Sequence, residues 1–271
     1  MNQEDKAAVL EREKEFHDQW AQSINPSDVP VFETFSKSTS PEPQWLLKQL
    51  GCLKGKKVLE LGSGAGEGAV YFAIQGADVT ATDLSPEMLR VVESVAEHHD
   101  VQVATQVASA DDLSQFPDES FDIVYAANLL HHVDIEKSLD EIRRVLKPGG
   151  QGAFWDPIAH NPVINIYRRM ASEVRTSDEH PIRRSELQYF TSRFRKVNTE
   201  FFWLTTLVVF LKFYLVDRIH PSSDRYWKRI LSHEEQLRWL YVPLEKCDRV
   251  LLRWFPFLKW LCWNIAIVVK K

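Results

Sequence analysis

Cysteine is scarce in this chain: Cys52, Cys247 and Cys262 are the only three in 271 residues, too far apart for a CxxC pair or a Cys/His metal set. That excludes a disulfide framework and points to a reducing compartment. Positive charge is in deficit as well. With 33 Lys and Arg against 38 Asp and Glu the net charge is −5, which counts against nucleic acid as partner because neutralising phosphates needs a basic surface. No long apolar run occurs either: residues 201–216 are the longest, 16 residues containing Lys212, short of the roughly 20 that cross a bilayer. The opening Met-Asn-Gln-Glu-Asp-Lys has no apolar signal core, and Asn2 stands where myristoylation needs glycine. The expected location is cytoplasmic, compatible with peripheral membrane contact. No HExxH or clustered carboxylate pattern occurs, so no metal is expected.

What the chain does have is unevenly placed. Residues 201–271 hold 12 Lys and Arg against 6 Asp and Glu, a local +6 that leaves −11 on residues 1–200. The same 71 residues carry 15 of the 31 aromatics and six of the nine tryptophans. A basic, aromatic quarter of the chain suits an apolar substrate pocket or a membrane-facing cap, with a plain aromatic core as the alternative.

Residues 3–22 read as an amphipathic helix, followed by breakers through residues 25–30. From Lys57 short apolar runs alternate with helical segments: strands at 58–61, 78–82, 101–107, 121–126 and 151–155, helices at 66–75, 86–98 and 134–146, the last stopped by Lys147-Pro148-Gly149-Gly150. Such alternation, with connections too long for hairpins, requires a mostly parallel sheet covered on both faces. Beyond Pro157 the rhythm changes to a helix at 165–175, a strand at 195–202 and an apolar helix at 205–216. A long helix then opens on the capping-box spacing Ser232-His233-Glu234-Glu235, with a kink expected at Pro243. Residues 264–270 read as a final strand.

Glu60-Leu61-Gly62-Ser63-Gly64-Ala65-Gly66 falls where a strand turns into a helix, where glycines allow close backbone approach and helical N–H groups face a ligand. Asp83 ends the next strand, 23 residues after Glu60, where a carboxylate can accept from both hydroxyls of a ribose. Together they form a nucleoside-binding constellation. With Asp83-Leu84-Ser85-Pro86-Glu87-Met88-Leu89, Ala108 to Leu113, Phe121-Asp122-Ile123-Val124 and Arg144 to Gly150, residues 50–156 resemble the class I S-adenosylmethionine-dependent methyltransferases, small-molecule type. The resemblance implies an α/β fold, a Rossmann-like three-layer sandwich on a seven-stranded, mostly parallel sheet with an antiparallel last strand, plus a helical cap. The implied organisation is an N-terminal helical lid (1–50), a cofactor-binding core (51–156), a helical insertion or cap for the acceptor (157–260) and a final strand (261–271). It also implies S-adenosyl-L-methionine as cofactor and S-adenosyl-L-homocysteine as product. Glu60, Gly62, Ser63, Gly64, Gly66 and Asn128 then border the methionine part, Asp83 holds the ribose, and Leu84 and Met88 pack on adenine. Ser109 stands where the family often has Asp, leaving Asp111 or the Ala110 backbone to meet the adenine amino group.

Methyl transfer asks mainly for in-line positioning, plus a base when the acceptor carries a proton to lose. Candidates lie beyond strand ends: His131 and His132 after the fourth strand, Asp156 and His160 after the fifth. His132 resembles a histidine that several small-molecule methyltransferases of this class place near the acceptor, some as base; the alternative is that both histidines cap and orient a loop. Trp20, Trp155, Tyr167, Arg168 and Arg175 are candidate acceptor contacts, with a solvated helix face as the alternative for the arginines. The reading is O-methylation of a small, hydrophobic or lipid-like acceptor, with nitrogen or carbon as other targets. Its competitor is a catalytically silent cofactor-binding module docked to a membrane or protein. A dehydrogenase fails on the spelling of the glycine motif, and a base-flipping enzyme on Asn128-Leu129-Leu130-His131.

Overall fold

Val58, Leu59, Glu60 and Leu61 are all buried, as a strand with neighbours on both edges and layers on both faces requires. In the computed structural model, which describes residues 3–171, 180–223 and 226–271 with side chains from residue 10 onward, this is strand β1 (Lys57–Leu61). It pairs in parallel with β2 (Asp78–Asp83) and β4 (Phe121–Ala127). β3 (Ala104–Val107) extends one edge, and β5 (Leu146–Pro157), β7 (Asn264–Lys270) and β6 (Lys196–Phe202) the other, giving the order β3-β2-β1-β4-β5-β7-β6. β7 runs antiparallel to both β5 and β6. Its position inside the sheet explains its unbroken apolar spelling, since six of its seven residues are buried.

The period-two alternation sorts the core into two layers. Leu59, Leu61, Val124, Ala126, Phe154, Ile265 and Ile267 join Leu139 and Ile142 of α6 (Ile135–Val145) and Phe190 of α8 (Leu187–Arg193). On the other face Val58, Val79, Ile123, Tyr125, Ala153 and Val268 meet Leu46 of α3 (Pro41–Leu50) and Phe72 of α4 (Glu67–Ile74). α1 (Gln3–Ala21) lies against α5 (Pro86–His98), where Ala21, Val29 and Val31, the last at the start of α2 (Val31–Ser36), share a cluster with Met88 and Val95.

Several sequence expectations change. β3 starts at Ala104, leaving 101–103 outside the ladder. The helix stops ahead of Lys147 to Gly150 as expected, at Val145, but this segment lies inside β5, which begins at Leu146 and not at 151, at an irregular register against β4 and with Gly149 at φ +78°. The stretch 157–260 is not purely a cap, because β6 is a strand of the main sheet. α7 (Pro162–Met170) begins earlier than expected, capped by Asn161, which accepts the Ile164 N–H at 3.0 Å. The apolar 205–216 stretch is three short pieces: a 3-10 turn, α9 (Val208–Leu211) and a π turn over 212–216. The Ser232 capping box does not form. Ser232 ends α10 (Tyr226–Ser232) and its hydroxyl turns back to the Arg229 carbonyl, while Glu234 accepts from Ser38 N–H at 2.6 Å. α11 (Glu234–Trp254) continues through Pro243.

The cap has its own core, in which Tyr167, Trp203, Phe210, Phe213, Tyr226, Tyr241 and Trp263 pack with Ile164, Ile230 and Leu237. It is joined to the chain's return by Asp248 on α11. This buried carboxylate accepts from the N–H groups of Leu204 (3.0 Å), Thr205 (2.6 Å) and Thr206 (3.4 Å) and from both threonine hydroxyls. Replacing it strands several buried donors at once. Asp248→Ala should therefore cost about 3 kcal/mol and Asp248→Asn less, measured as urea denaturation midpoints. Equal midpoints for Asp248→Ala and the parent chain would show that this cap contributes nothing to stability.

Candidate functional site

The chain order reverses direction between β1 and β4, so their carboxyl ends splay apart and leave a crevice. The loop after β1 turns there into α4. Gly64 sits at φ +50°, and a Cβ on it would meet nothing within 4 Å, so the backbone faces open space. Glu60, beneath the loop, is 3% exposed. A Cβ on Gly68 would lie 2.1 Å from Glu60 Oε1, so the helix can approach this carboxylate only at a glycine. Burial pushes the Glu60 carboxyl well up, with neighbouring Glu67 adding to it.

Asp83 closes the far side. Its Oδ2 accepts the Gly64 N–H and its Oδ1 the Ser85 N–H, both at 3.0 Å. Burial raises its carboxyl, opposed by His17 and by those N–H groups. Ser85 caps α5 by accepting the Met88 N–H at 3.0 Å and donates its hydroxyl to Asp18 of α1 at 2.5 Å. The N-terminal helix is thereby fastened over the crevice.

The enclosed space is a cavity of about 290 Å³. Of the expected residues it brings together Glu60, Gly62, Ser63, Gly64, Asn128, His131, His132, Trp20, Trp155 and Tyr167. Gly66, Asp83, Leu84, Met88, Ser109, Ala110 and Asp111 do not line it. Met88 is fully buried against the N-terminal segment, and Ser109 donates to Asp111 Oδ1 at 2.5 Å, turning both side chains toward each other. Asn128 adopts φ +53°, a conformation asparagine tolerates better than most residues, and its N–H donates to the Trp155 carbonyl at 2.8 Å.

The histidines separate. His131 Nδ1 lies 2.7 Å from Asp156 Oδ1, both residues buried, and its backbone N–H also reaches that oxygen at 3.2 Å. An Asp156 carboxylate accepting Nδ1–H leaves Nε2 with the lone pair of a base. Burial pushes the Asp156 carboxyl up, opposed by the N–H groups of His131 and Leu130. Asp156 is thus the orienting partner behind His131 and does not line the cavity. His132 Nδ1 faces Glu13 Oε1 of α1 at 3.2 Å, and its ring packs on His131 with centroids 4.1 Å apart. His160 lies elsewhere, its Nε2 accepting the Arg184 N–H at 3.2 Å beside Trp260. Arg168 lines a separate 230 Å³ pocket with His180 and Arg183. Arg175 lies outside the described residues.

Several cavity residues had no local signal. Glu13, Glu42, Glu67, Tyr125, Trp203, Trp227, Trp263 and Asn264 all line it. Glu42 is 3% exposed and accepts from Asn264 Nδ2 at 2.7 Å, across 222 residues of chain. A parallel helix and strand pattern reveals neither partner. Glu13 belongs to α1, whose helical form was legible but whose resting place was not.

Residues 59–154 match the methyltransferase domain family. The chain is 32% identical over 152 residues to the uncharacterized methyltransferase YcgJ of Bacillus subtilis, covering 55% of this chain and 59% of the relative. It is 34% identical over 122 residues to the ubiquinone biosynthesis O-methyltransferase of Pseudomonas syringae pv. tomato, covering 45% and 52%. The chain thus spans little more than half the length of these curated relatives. Among solved structures, the YcgJ crystal structure superposes with a TM-score of 0.53 at 22% identity over 84% of this chain and 97% of that one. Haemonchus contortus phosphoethanolamine N-methyltransferase 2, in complex with S-adenosyl-L-methionine, superposes with a TM-score of 0.57 at 22% identity, over 95% of this chain and 59% of that one. These similarities show the Rossmann-like methyltransferase fold. Residues 59–154 are a methyltransferase domain of the class I S-adenosylmethionine-dependent type, and S-adenosyl-L-methionine is the cofactor of that class.

Glu42 carries a pH signature. Burial lifts its carboxyl from the ordinary 4.5 to about 7, against the opposing hydrogen bond from Asn264. The folded chain therefore keeps this proton across a pH range in which the unfolded chain has lost it, so stability falls as pH rises from 4.5 to about 7. Glu42→Gln should remove that fall, gaining on the parent chain by on the order of 3 kcal/mol above about pH 8 and nothing below the ordinary carboxylate range. Denaturation midpoints across pH check this; parallel curves for the two proteins would contradict it.

Proposed function

We propose that the chain transfers a methyl group from S-adenosyl-L-methionine to a small or lipid-like, largely apolar acceptor, with oxygen as the favoured target atom and His131 as the base. The observation that carries this reading is one continuous cavity that joins the glycine loop to the His131–Asp156 pair.

The glycine-loop side of the cavity suits the methionine part of the cofactor. Gly64 offers an open backbone cradle, and Ser63 Oγ and Glu60 Oε2 are buried without a partner. Glu60, Gly62, Ser63, Gly64, Gly66 and Asn128 would hold the methionine part. Asp83 would hold the ribose, using lone pairs left beyond the two N–H groups it already accepts. Leu84, Ser109, Ala110 and Asp111 would meet the adenine, whereas Met88, fully buried against the N-terminal segment, would not. When bound, the cofactor supplies an electrophilic methyl group on a sulfonium.

The chain's own residues do the rest. Trp20, Trp155 and Tyr167, with Trp203, Trp227 and Trp263, wall the acceptor with aromatic surface and keep water out. His131 Nε2 takes the proton of an acceptor hydroxyl, while Asp156 fixes the imidazole tautomer and favours the imidazolium that results. His132, held by Glu13, orients His131 through ring contact. Support for oxygen as target comes from the Pseudomonas relative, whose name assigns it O-methylation. A reducing, cytoplasmic setting is supported by three unpaired cysteines, two of them exposed.

Two measurements test the reading. Isothermal titration should detect S-adenosylhomocysteine binding, weakened at least about tenfold in Asp83→Ala, since charge-assisted hydrogen bonds to the ribose are lost; an unchanged affinity would remove Asp83 from the site. In turnover assays against a panel of phenols, alcohols and amines, His131→Ala should lower kcat by about 10²-fold or more at unchanged cofactor affinity. Asp156→Asn should also lower kcat and alter the acid limb of the pH profile. Full turnover in His131→Ala would leave the base unassigned and the reading wrong in that part.

A further inference from the structure

Helix α11 hides one face and presents another that is neither polar nor covered. Leu237, Tyr241 and Asp248 point into the cap and are buried. At about 100° per residue, Trp239, Pro243, Cys247, Val250 and Trp254 fall within a sector of about 80° on the outer side. Trp239 is 69% exposed, Val250 56% and Trp254 73%, and the stripe runs on into Phe255 (48%) and Phe257 (69%) of the following turn. Arg238, Lys246 and Arg253 form the adjoining sector along one edge of the same stripe, all exposed, with Glu235 among them and Arg249 beside them ion-paired with Glu245. α9 packs beside α11, and the π turn that follows it adds Leu215 (66%) and Val216 (71%) to the exposed apolar surface.

Large aromatics exposed to this degree are not what a solvated helix face uses, and a basic strip beside them selects for an anionic partner. No helix of the described residues is long and apolar enough to cross a membrane, so the arrangement suits lying on a surface. Tryptophan and phenylalanine are the side chains that enter the boundary between headgroups and acyl chains, while arginine and lysine meet lipid phosphates. Residues 201–271 carry a net +6 against −11 on residues 1–200, a balance that suits an anionic partner for this part of the chain.

We propose that the outer face of α11 and the turn after it, centred on Trp254 and Phe257 with Lys246 and Arg253 alongside, is a docking site for an anionic lipid bilayer surface. The aromatic rings insert at the headgroup boundary and the basic edge contacts lipid phosphates, independently of which acceptor the cavity takes.

Flotation with phosphatidylcholine vesicles, with and without phosphatidylglycerol, tests this on the full chain. The protein should float with the anionic vesicles and stay behind with neutral ones, and salt should release it. The double variant Trp254→Ala, Phe257→Ala should bind at least about tenfold more weakly, and Lys246→Gln with Arg253→Gln should lose about tenfold or more. Both variants alter exposed residues, so unchanged denaturation midpoints and unchanged S-adenosylhomocysteine titration confirm that fold and cofactor site are intact. This control also keeps failure of docking distinct from failure of the methyltransferase reading. A parent chain that does not float with anionic vesicles, or an aromatic variant that floats as well as the parent, would overturn the proposal. So would a dimer that the aromatic variant dissolves in the absence of flotation, because the stripe would then be a contact between copies of the chain.

Discussion

The parallel pairing of β1 with β4 is the constraint on which the rest of the molecule depends. Because the chain builds outward from this seam in both directions, no strand end covers it on the carboxyl side. The glycine loop, Asn128 and His131 all emerge at the seam. Asp83 comes from the neighbouring strand and bonds the Gly64 N–H, so the loop is held from the side as well as from below. Elements added later in the chain cannot create this crevice. They can only roof it, which is what the cap does with Trp203, Trp227 and Trp263.

Roofing the crevice puts carboxylates out of water. Glu42, Glu60, Glu67 and Asp156 are all raised by burial, and no Lys or Arg lines the cavity among the described residues. Several buried carboxyls with no cationic side chain among the lining residues described are poorly suited to the chain's own stability, and natural chains tolerate such clusters where function requires them. Here the pattern matches the cationic character of a sulfonium cofactor and leaves Asp156 to act on one named atom, Nδ1 of His131. The tie between Ser85 and Asp18 then couples the lid helix to the same strand end that would hold the ribose.

The parts legible in the sequence are those specified locally. Strand and helix alternation, the ExGxGxG turn and the acidic end of β2 follow from periodicity and from glycine chemistry within about 30 residues of chain. The internal strand β7 was legible from its unbroken apolar run. What was not legible depends on distant partners. The Glu42 and Asn264 pair spans nearly the whole chain. Ser232 ends α10 instead of capping α11, and His160 and Asp156, close in sequence, end in different surroundings. The aromatic C-terminal quarter proved to be three things at once: cap core around Phe210 and Tyr241, cavity wall at Trp203 and Trp263, and exposed surface at Trp254 and Phe257. Composition alone treats these as one population, because burial is decided by helix phase and by what packs against it.

The central claim is that one cavity serves cofactor and acceptor, with His131 at the point of transfer. The most direct measurement is a crystal structure with S-adenosylhomocysteine bound. The account predicts its ribose on Asp83, its amino acid part on the Gly62 to Gly64 loop, and its sulfur facing the space beside His131 Nε2. A product bound with its sulfur turned away from His131, or seated outside the crevice between β1 and β4, would contradict it.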